Sequence, residues 1–469
     1  MLTYTFENLH GQSMYAHLYQ CIKEDILNGK LEAEDKLPSK RTLAKNLGIS
    51  LITVENAYAQ LMIEGYIYSR PKRGYYVAKI MKQPPLHQEV KQNSKLQLPQ
   101  KQAFSFASGN VPAETFPYNI WSRLLRQVLT AANENTLLCD TSCGGIVQLR
   151  QAIAQHLYQF RGMQAEPEQI IIGAGTQVLY NLIVQLLGRN HIYALEDPGY
   201  PQLAAIYKAN NVFCRYLPMD KNGVSREMLE NSGADILHIT PSHQFPTGII
   251  MPASRRYELL HWAGQSSSRY IIEDDYDCEF RLYGRPIPTL QSSDTAEKVI
   301  YINTFSKTLA PTFRISYMVR PSHLTTLFYQ KLGFYSCTVS NFEQFTLAKF
   351  IEGGYFERHL NRMRTYYRNK CDKLLQYLAK NTTAPYLTVE GENSGLHFLL
   401  HLDTQSSDTK LKQVAAIQGL EIKFLSDYYH EKINDNSHTL LMNYTGIEEK
   451  ELYPALDKLF NALLPYLGK

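Results

Sequence analysis

A lysine set among hydroxyls and an arginine fork is the strongest chemical signal in this chain. Lys307 stands in INTFSKTLAPTFRISY, just after the apolar run Val299–Ile302, with Thr304 and Ser306 beside it and Arg314 seven residues on. A lone lysine is ordinarily a surface residue. In a ligand pocket, desolvation favours its amine form, the nucleophile that condenses with an aldehyde. Nearby hydroxyls and a planar guanidinium suit the oxygens of a phosphate. A second anion cradle is Gly173-Ala174-Gly175-Thr176-Gln177. Small residues between a strand and a helix let backbone N–H groups and the helix N-terminus approach an anion, although a glycine-rich turn alone is weak evidence.

Asp274, in YIIEDDYD, follows an apolar run. That places it at the carboxyl edge of a sheet, where open α/β folds bind ligands. A buried carboxylate there can keep a pyridine nitrogen protonated. Tyr276 can hydrogen-bond a phenolic oxygen, and Tyr200, in LEDPGYP, can stack on a ring. Lysine, carboxylate, phosphate cradle and stacking group are what pyridoxal phosphate needs from a protein. The expectation is that cofactor on Lys307, with Gly175, Thr176, Gln177, Tyr200, Asp274, Tyr276, Thr304, Ser306 and Arg314 around it. The acidic cluster Glu273, Asp274, Asp275 and Asp277 also has a metal-site reading, but no clustered His or second carboxylate motif accompanies it, and no metal is expected.

These residues need strands behind them. Gln169–Ile172, His191–Leu195, Ile236–Ile239, Tyr270–Glu273 and Val299–Ile302 have the texture of strands, and stretches such as Val178–Leu187 that of helices. Their alternation predicts an α/β domain with a mainly parallel sheet over 104–469. Residues 79–103, rich in Gln, Lys and Pro, predict a linker. A chain of 469 residues, 44% hydrophobic and 20% charged, fits a globular protein of two or more domains. No segment approaches the roughly 18 apolar residues of a membrane span. The start MLTYTFENLHGQS lacks the basic and apolar regions of a secretory signal. Seven scattered cysteines without a CxxC pair predict reduced, mostly buried thiols, and the cytoplasm as location.

Residues 1–78 differ in texture. Met14–Asn28 spaces Leu18, Ile22 and Ile26 on one helical face. Ser39 can cap a second helix, Lys40–Leu47; Gly48-Ile49-Ser50 turns the chain, and a third helix runs Leu51–Glu64 over Val54, Ala57, Tyr58 and Leu61. GYIYSRPKRGYYVA then reads as two strands around the turn 70–74. The overall net charge of +4 argues little, but Lys36–Lys79 holds eight Lys and Arg against Glu55 and Glu64. A helix-turn-helix with a basic hairpin can place its third helix in a major groove and its cations on phosphates; a module for protein contacts is the other reading.

LPSKRTLAKNLGISLITVENAYAQLMIEGYIYSRPKRGYYV resembles the GntR-type winged helix. The resemblance implies DNA contacts from Arg41, from the start of the third helix around Thr53, and from the wing at Arg73-Gly74. The full candidate set is Ser39, Lys40, Arg41, Ser50, Thr53, Arg70, Lys72, Arg73 and Gly74. Family members often carry Arg where Leu51 stands, and Arg or another polar group at Glu55. Further on, GAGTQ, EDPGYP, TPSHQFPTG, IIEDDYD and TFSKTLAP resemble, in order, the fold-type I aminotransferase domain of MocR/GabR-type regulators. That implies an N-terminal winged helix-turn-helix (α+β) with a C-terminal α/β pyridoxal-phosphate-dependent transferase fold. It implies Lys307 as the Schiff-base lysine, Asp274 and Tyr276 on the ring, Tyr200 over it, and Thr176, Gln177, Thr304 and Arg314 around the phosphate.

The same resemblance implies a homodimeric regulator that binds a double-stranded DNA operator and a small-molecule effector; a working aminotransferase is the alternative. The GABA-responsive member holds its effector's carboxylate with two arginines, at positions where this chain has Gln202 and, by alignment, Gly446; no Arg follows Arg368. The expected effector is therefore pyridoxal phosphate itself or an amine-type ligand, rather than GABA.

Overall fold

The computed structural model describes residues 2–6, 12–81, 104–107, 109, 111–131, 134–282, 284, 287–392, 395–430 and 436–468. The chain forms two compact units, 1–98 and 99–469. Most of the expected linker, 82–103, lies outside the described residues.

The first unit contains α1 (Met14–Leu27), β1 (Lys36–Leu37), α2 (Lys40–Leu47), α3 (Leu51–Ile63), β2 (Ile67–Arg70) and β3 (Gly74–Val77). Leu18, Ile22 and Ile26 recur every four residues, so one face of α1 packs on Leu43 of α2 and on Val54, Ala57, Tyr58 and Leu61 of α3. Burying each large aliphatic side chain contributes about 1.5–3 kcal/mol. Ser39 Oγ accepts from Thr42 N at 3.1 Å and Ser50 Oγ from Thr53 N at 3.1 Å, closing the starts of α2 and α3. Between those helices Gly48 has φ +65°, with open space where a Cβ would stand. The corner needs glycine for its backbone angle, not for room. The strands order β1-β3-β2, all antiparallel.

The second unit centres on eight strands: β4 (Ile170–Gly173), β5 (Ile192–Asp197), β6 (Phe213–Asp220), β7 (Gly223–Val224), β8 (Ile236–Ile239), β9 (Tyr270–Asp274), β10 (Val299–Thr304) and β11 (Ser316–Val319). Their order is β4-β11-β10-β9-β8-β5-β6-β7. The block from β10 to β6 is parallel, while β11 runs antiparallel to β4 and β10, and β7 to β6. Successive side chains leave opposite faces of a strand. Ile170, Ile172, Tyr301, Tyr317 and Val319 enter one core with helix Val147–Arg161, whereas Ile171, Ile300, Ile302 and Met318 enter another with helix Thr176–Leu187. Both faces are covered, which is why the strands are continuous apolar runs.

Beyond helix Tyr355–Lys380 a smaller antiparallel sheet follows: β12 (Leu387–Glu390), β13 (His397–Leu402), β14 (Lys423–Phe424) and β15 (Thr439–Asn443), in the order β12-β13-β15-β14. It packs with helix Leu452–Leu463 into a separate core. The strand Phe104–Ser105 pairs in parallel with Leu420–Glu421. Of the seven thiols, Cys143, Cys278 and Cys371 are buried, three are half-buried and Cys139 is exposed, fewer buried than the scatter suggested. No described helix is long and apolar enough to cross a membrane.

Candidate functional site

Parallel strands end together, and the residues that end them surround a cavity of about 600 Å3. Asp274 closes β9, Thr304 closes β10, and Thr240 follows β8 directly. Lys307, Thr176, Tyr200, Tyr276, Ser306 and Arg314 line the same cavity. Of the ten candidates, Gly175 and Gln177 are not in its wall: Gln177 is exposed, and Gly175 lies behind Arg314.

Lys307 Nζ donates to the Gly109 carbonyl at 3.2 Å. Burial holds its ammonium below the usual range, against the pull of Asp277. A Cβ on Gly109 would come within 2.5 Å of that Nζ and 3.0 Å of Asn443 Nδ2. Gly109 and Asn443 thus frame the lysine from 198 residues upstream and from the last strand of the smaller sheet. Asp274 Oδ2 accepts from Tyr180 and lies 3.6 Å from His238 Nε2. Its Oδ1 is buried without a hydrogen-bond partner.

At the other end, helix Thr176–Leu187 starts at Gly175, with φ +89° and no side-chain cap. A Cβ there would stand 2.3 Å from Arg314 Nη2, so the guanidinium lies directly over the helix start. Arg314 itself has left-handed backbone angles (φ +49°) and, among the described residues, no carboxylate within ion-pair distance. Thr304 Oγ1 donates to Ser306 Oγ at 2.9 Å and accepts from Ser306 N at 3.1 Å and Ser316 Oγ at 2.8 Å. The threonine therefore positions the serine.

The four clustered carboxylates diverge. Glu273 accepts from Leu290 N and Gln291 N, at 2.9 and 3.0 Å; Asp275 pairs with Arg161 at 2.7 Å; Asp277 lies 2.7 Å from His243 Nδ1. Only Asp274 of the four lines the cavity. His397, near His243 and Asp277, bonds instead to the Pro246 carbonyl at 3.2 Å. Tyr276 Oη lies 3.3 Å from His243 Nδ1, and burial raises its pKa, with the Asp277 charge adding. Glu196, also in the wall, accepts from Thr240 N at 3.0 Å and Thr240 Oγ1 at 2.7 Å, and burial pushes it up to about 7. Tyr180, His238, Gly109 and Asn443 carry no local signal in the sequence; Glu196, within LEDPGYP, does.

In the first unit the candidate DNA residues are less uniform. Arg41, Lys72 and Arg73 are exposed. Lys40 pairs with Glu55 at 3.6 Å, while Arg70 bonds to Glu34 and Tyr68 and lies 4.7 Å from the Tyr76 ring centroid. The hydroxyls of Ser39 and Ser50 are occupied as caps, and Thr53 Oγ1 lies 2.8 Å from Ser50 Oγ. Lys72 and Gly74 hold the positive φ values, +60° and +110°, that turn the hairpin.

Residues 14–77 match the model for bacterial regulatory proteins of the gntR family. The chain is 37% identical to an uncharacterized HTH-type transcriptional regulator of Bacillus subtilis, YdeL, over 95% of this chain and 96% of that one. It is 31% identical to the probable rhizopine catabolism regulatory protein MocR of Rhizobium meliloti, over 96% and 94% of the two. The second unit shares its fold with the kynurenine aminotransferase of Pyrococcus horikoshii, at a TM-score of 0.68 and 24% identity over 78% of this chain and 92% of that one. With regulators matching from end to end, an enzyme reading is not favoured. The chain belongs to the MocR-type branch of the GntR-family transcription regulators, in which a winged helix precedes a domain folded like an aminotransferase.

Proposed function

We propose that this regulator binds duplex DNA through its winged helix and pyridoxal phosphate through the cavity at Lys307, and that the second unit reports the cofactor, or an amine that meets it there. The observation that carries the reading is Asp274 Oδ1, a buried acceptor without a partner in the wall that also holds Lys307 and Arg314. An unpaired buried carboxylate oxygen costs stability unless something fills the role. A protonated ring nitrogen fits it; an aldehyde fits the desolvated Lys307 amine, and a phosphate fits Arg314 over the uncapped helix start. The kynurenine aminotransferase of this fold was crystallised with PMP. Bound here, the cofactor would supply an aldehyde that exchanges amines and a ring that withdraws electrons.

The chain's own residues would hold it. Tyr276, its proton retained by burial, would donate to the phenolic oxygen, and Tyr200 would cover a ring face. Ser306, Thr176 and Arg314 would take the phosphate. Among the described cavity-lining residues the basic side chains are Lys307, Arg314, His238 and His430, with no second arginine to grip an effector carboxylate. An amine without that group, or the cofactor alone, fits this lining. We place the protein in the cytoplasm as a homodimer, with domains 1–78 and 104–469 joined by 79–103.

The test is borohydride reduction of the full-length protein incubated with pyridoxal phosphate, followed by peptide mass spectrometry. The expected adduct lies on Lys307 and disappears in Lys307→Ala. An unlabelled Lys307 overturns the cofactor reading. Gel shifts with duplex fragments flanking the gene test the other half, and the absence of any retarded fragment overturns it.

A further inference from the structure

The first turn of α3 presents hydrocarbon where a DNA-reading helix needs base contacts. Ile52 is 67% exposed and Leu51 38%, yet neither joins the unit's core. Single exposed apolar side chains are ordinary, as Ile63 (81% exposed) at the other end of α3 shows; the first turn differs in presenting two adjacent ones at the end that opens the helix. The polar neighbours are occupied. Ser50 and Thr53 bond to each other, and Glu55 pairs with Lys40. Along the whole of α3, LITVENAYAQLMI, there is no Lys or Arg, so this helix cannot read guanine through a cationic fork. Asn56, one turn beyond Ile52 and on the same side, is exposed. Asparagine pairs with the N6/N7 edge of adenine, and apolar side chains contact the thymine 5-methyl group.

Charge complementarity says what covers this face. Exposed Arg41 at the start of α2 and exposed Lys72 and Arg73 in the hairpin carry positive charge in the same module, the arrangement that positions phosphates, while α3's own acid is neutralised. We infer that α3 reads A·T pairs in the major groove, with Ile52, assisted by Leu51, on thymine methyls and Asn56 on an adjacent adenine. The inference rests on the DNA-binding reading above and specifies its base preference.

The test begins with selection of duplexes from a random library by the full-length protein. Thymines of the retained site are then replaced singly by uracil, which removes the methyl and keeps the base pair. Loss of one contacted methyl is expected to weaken binding about threefold to fivefold at one or two positions. Ile52→Ala should weaken the thymine duplex similarly and show no further loss on the uracil duplex. Asn56→Ala should relax the preference at a neighbouring A·T pair. A retained duplex whose affinity ignores every thymine-to-uracil replacement overturns the inference and leaves the DNA-binding reading intact; no retained duplex overturns both. Ile52→Ala changing the oligomeric state while DNA affinity stays fixed also overturns it, assigning the face to a second copy of the chain.

Discussion

The helices α2 and α3 of the first unit begin at serines whose hydroxyls close the helix end, whereas helix Thr176–Leu187 of the second unit begins at Gly175, which has no side chain to close it. The first four N–H groups of any helix lack partners within the helix. A hydroxyl cap satisfies one of them internally and stabilises the fold. An uncapped start keeps its donors for a ligand, at a cost in stability. The same contrast runs through the charges. Lys40 and Arg70 are matched by Glu55 and Glu34, but Arg314 faces no described carboxylate and Asp274 keeps a buried oxygen unpartnered. In the first unit these groups are satisfied internally; around the cavity of the second they are held in reserve.

Substitutions can break that contrast from either side. Asp274→Asn should have the largest effect, weakening pyridoxal phosphate binding by roughly ten- to a hundredfold, the worth of a charge-assisted hydrogen bond. The asparagine oxygen can still accept from Tyr180 while its other atom takes the unpartnered Oδ1 position, so melting of the ligand-free protein should fall little; a large drop would show that Asp274 is a structural residue. Glu196→Gln sharpens the comparison through pH. Burial raises the folded-state pKa of Glu196 to about 7, so its favourable contribution is complete below the unfolded pKa and disappears as pH rises through about 7. Wild type should therefore lose stability relative to the variant between about pH 5 and pH 8, on the order of 1–3 kcal/mol. Glu273, also raised by burial and by the Asp275 charge, adds a parallel loss that the variant retains.

On the capped side the effects are smaller and should leave the cavity untouched. Gly48→Ala places a Cβ on a left-handed residue and should cost about 1–2 kcal/mol in the first unit's unfolding. Ser50→Ala removes the α3 cap and should cost about 1 kcal/mol. Chemical denaturation followed beside cofactor titration checks both. A change in cofactor affinity in either variant would contradict the division of roles.

The strands were legible where both faces are buried, because the resulting apolar runs need no alternation to be seen. The expected Gln169–Ile172, His191–Leu195, Tyr270–Glu273 and Val299–Ile302 differ from the observed bounds by no more than two residues at any end. Phe213–Asp220 carries no such run, because it is partly exposed and contains Arg215 and Pro218. Ser316–Val319 is hidden behind the Lys307 segment, and its antiparallel insertion makes a mainly parallel sheet mixed. The site's motifs were readable where chemistry clusters locally. Tyr180 and His238, which hold Asp274, were not, since a tyrosine in an apolar helix face and a histidine in a buried strand look like packing. Nor was Gly109, whose meaning comes only from Lys307 lying against it.

The short pairing of Phe104–Ser105 with Leu420–Glu421 has a mechanical consequence. Phe106 N then donates to the Glu421 carbonyl, Asn443 N donates to the Phe106 carbonyl, and Ala107 and Gly109 already belong to the cavity wall. The first described residues of the second unit are thus stitched at once to the smaller sheet and to the cavity wall. Whatever occupies that chamber rests, at Ala107 and Gly109, on the doorstep by which the polypeptide enters it.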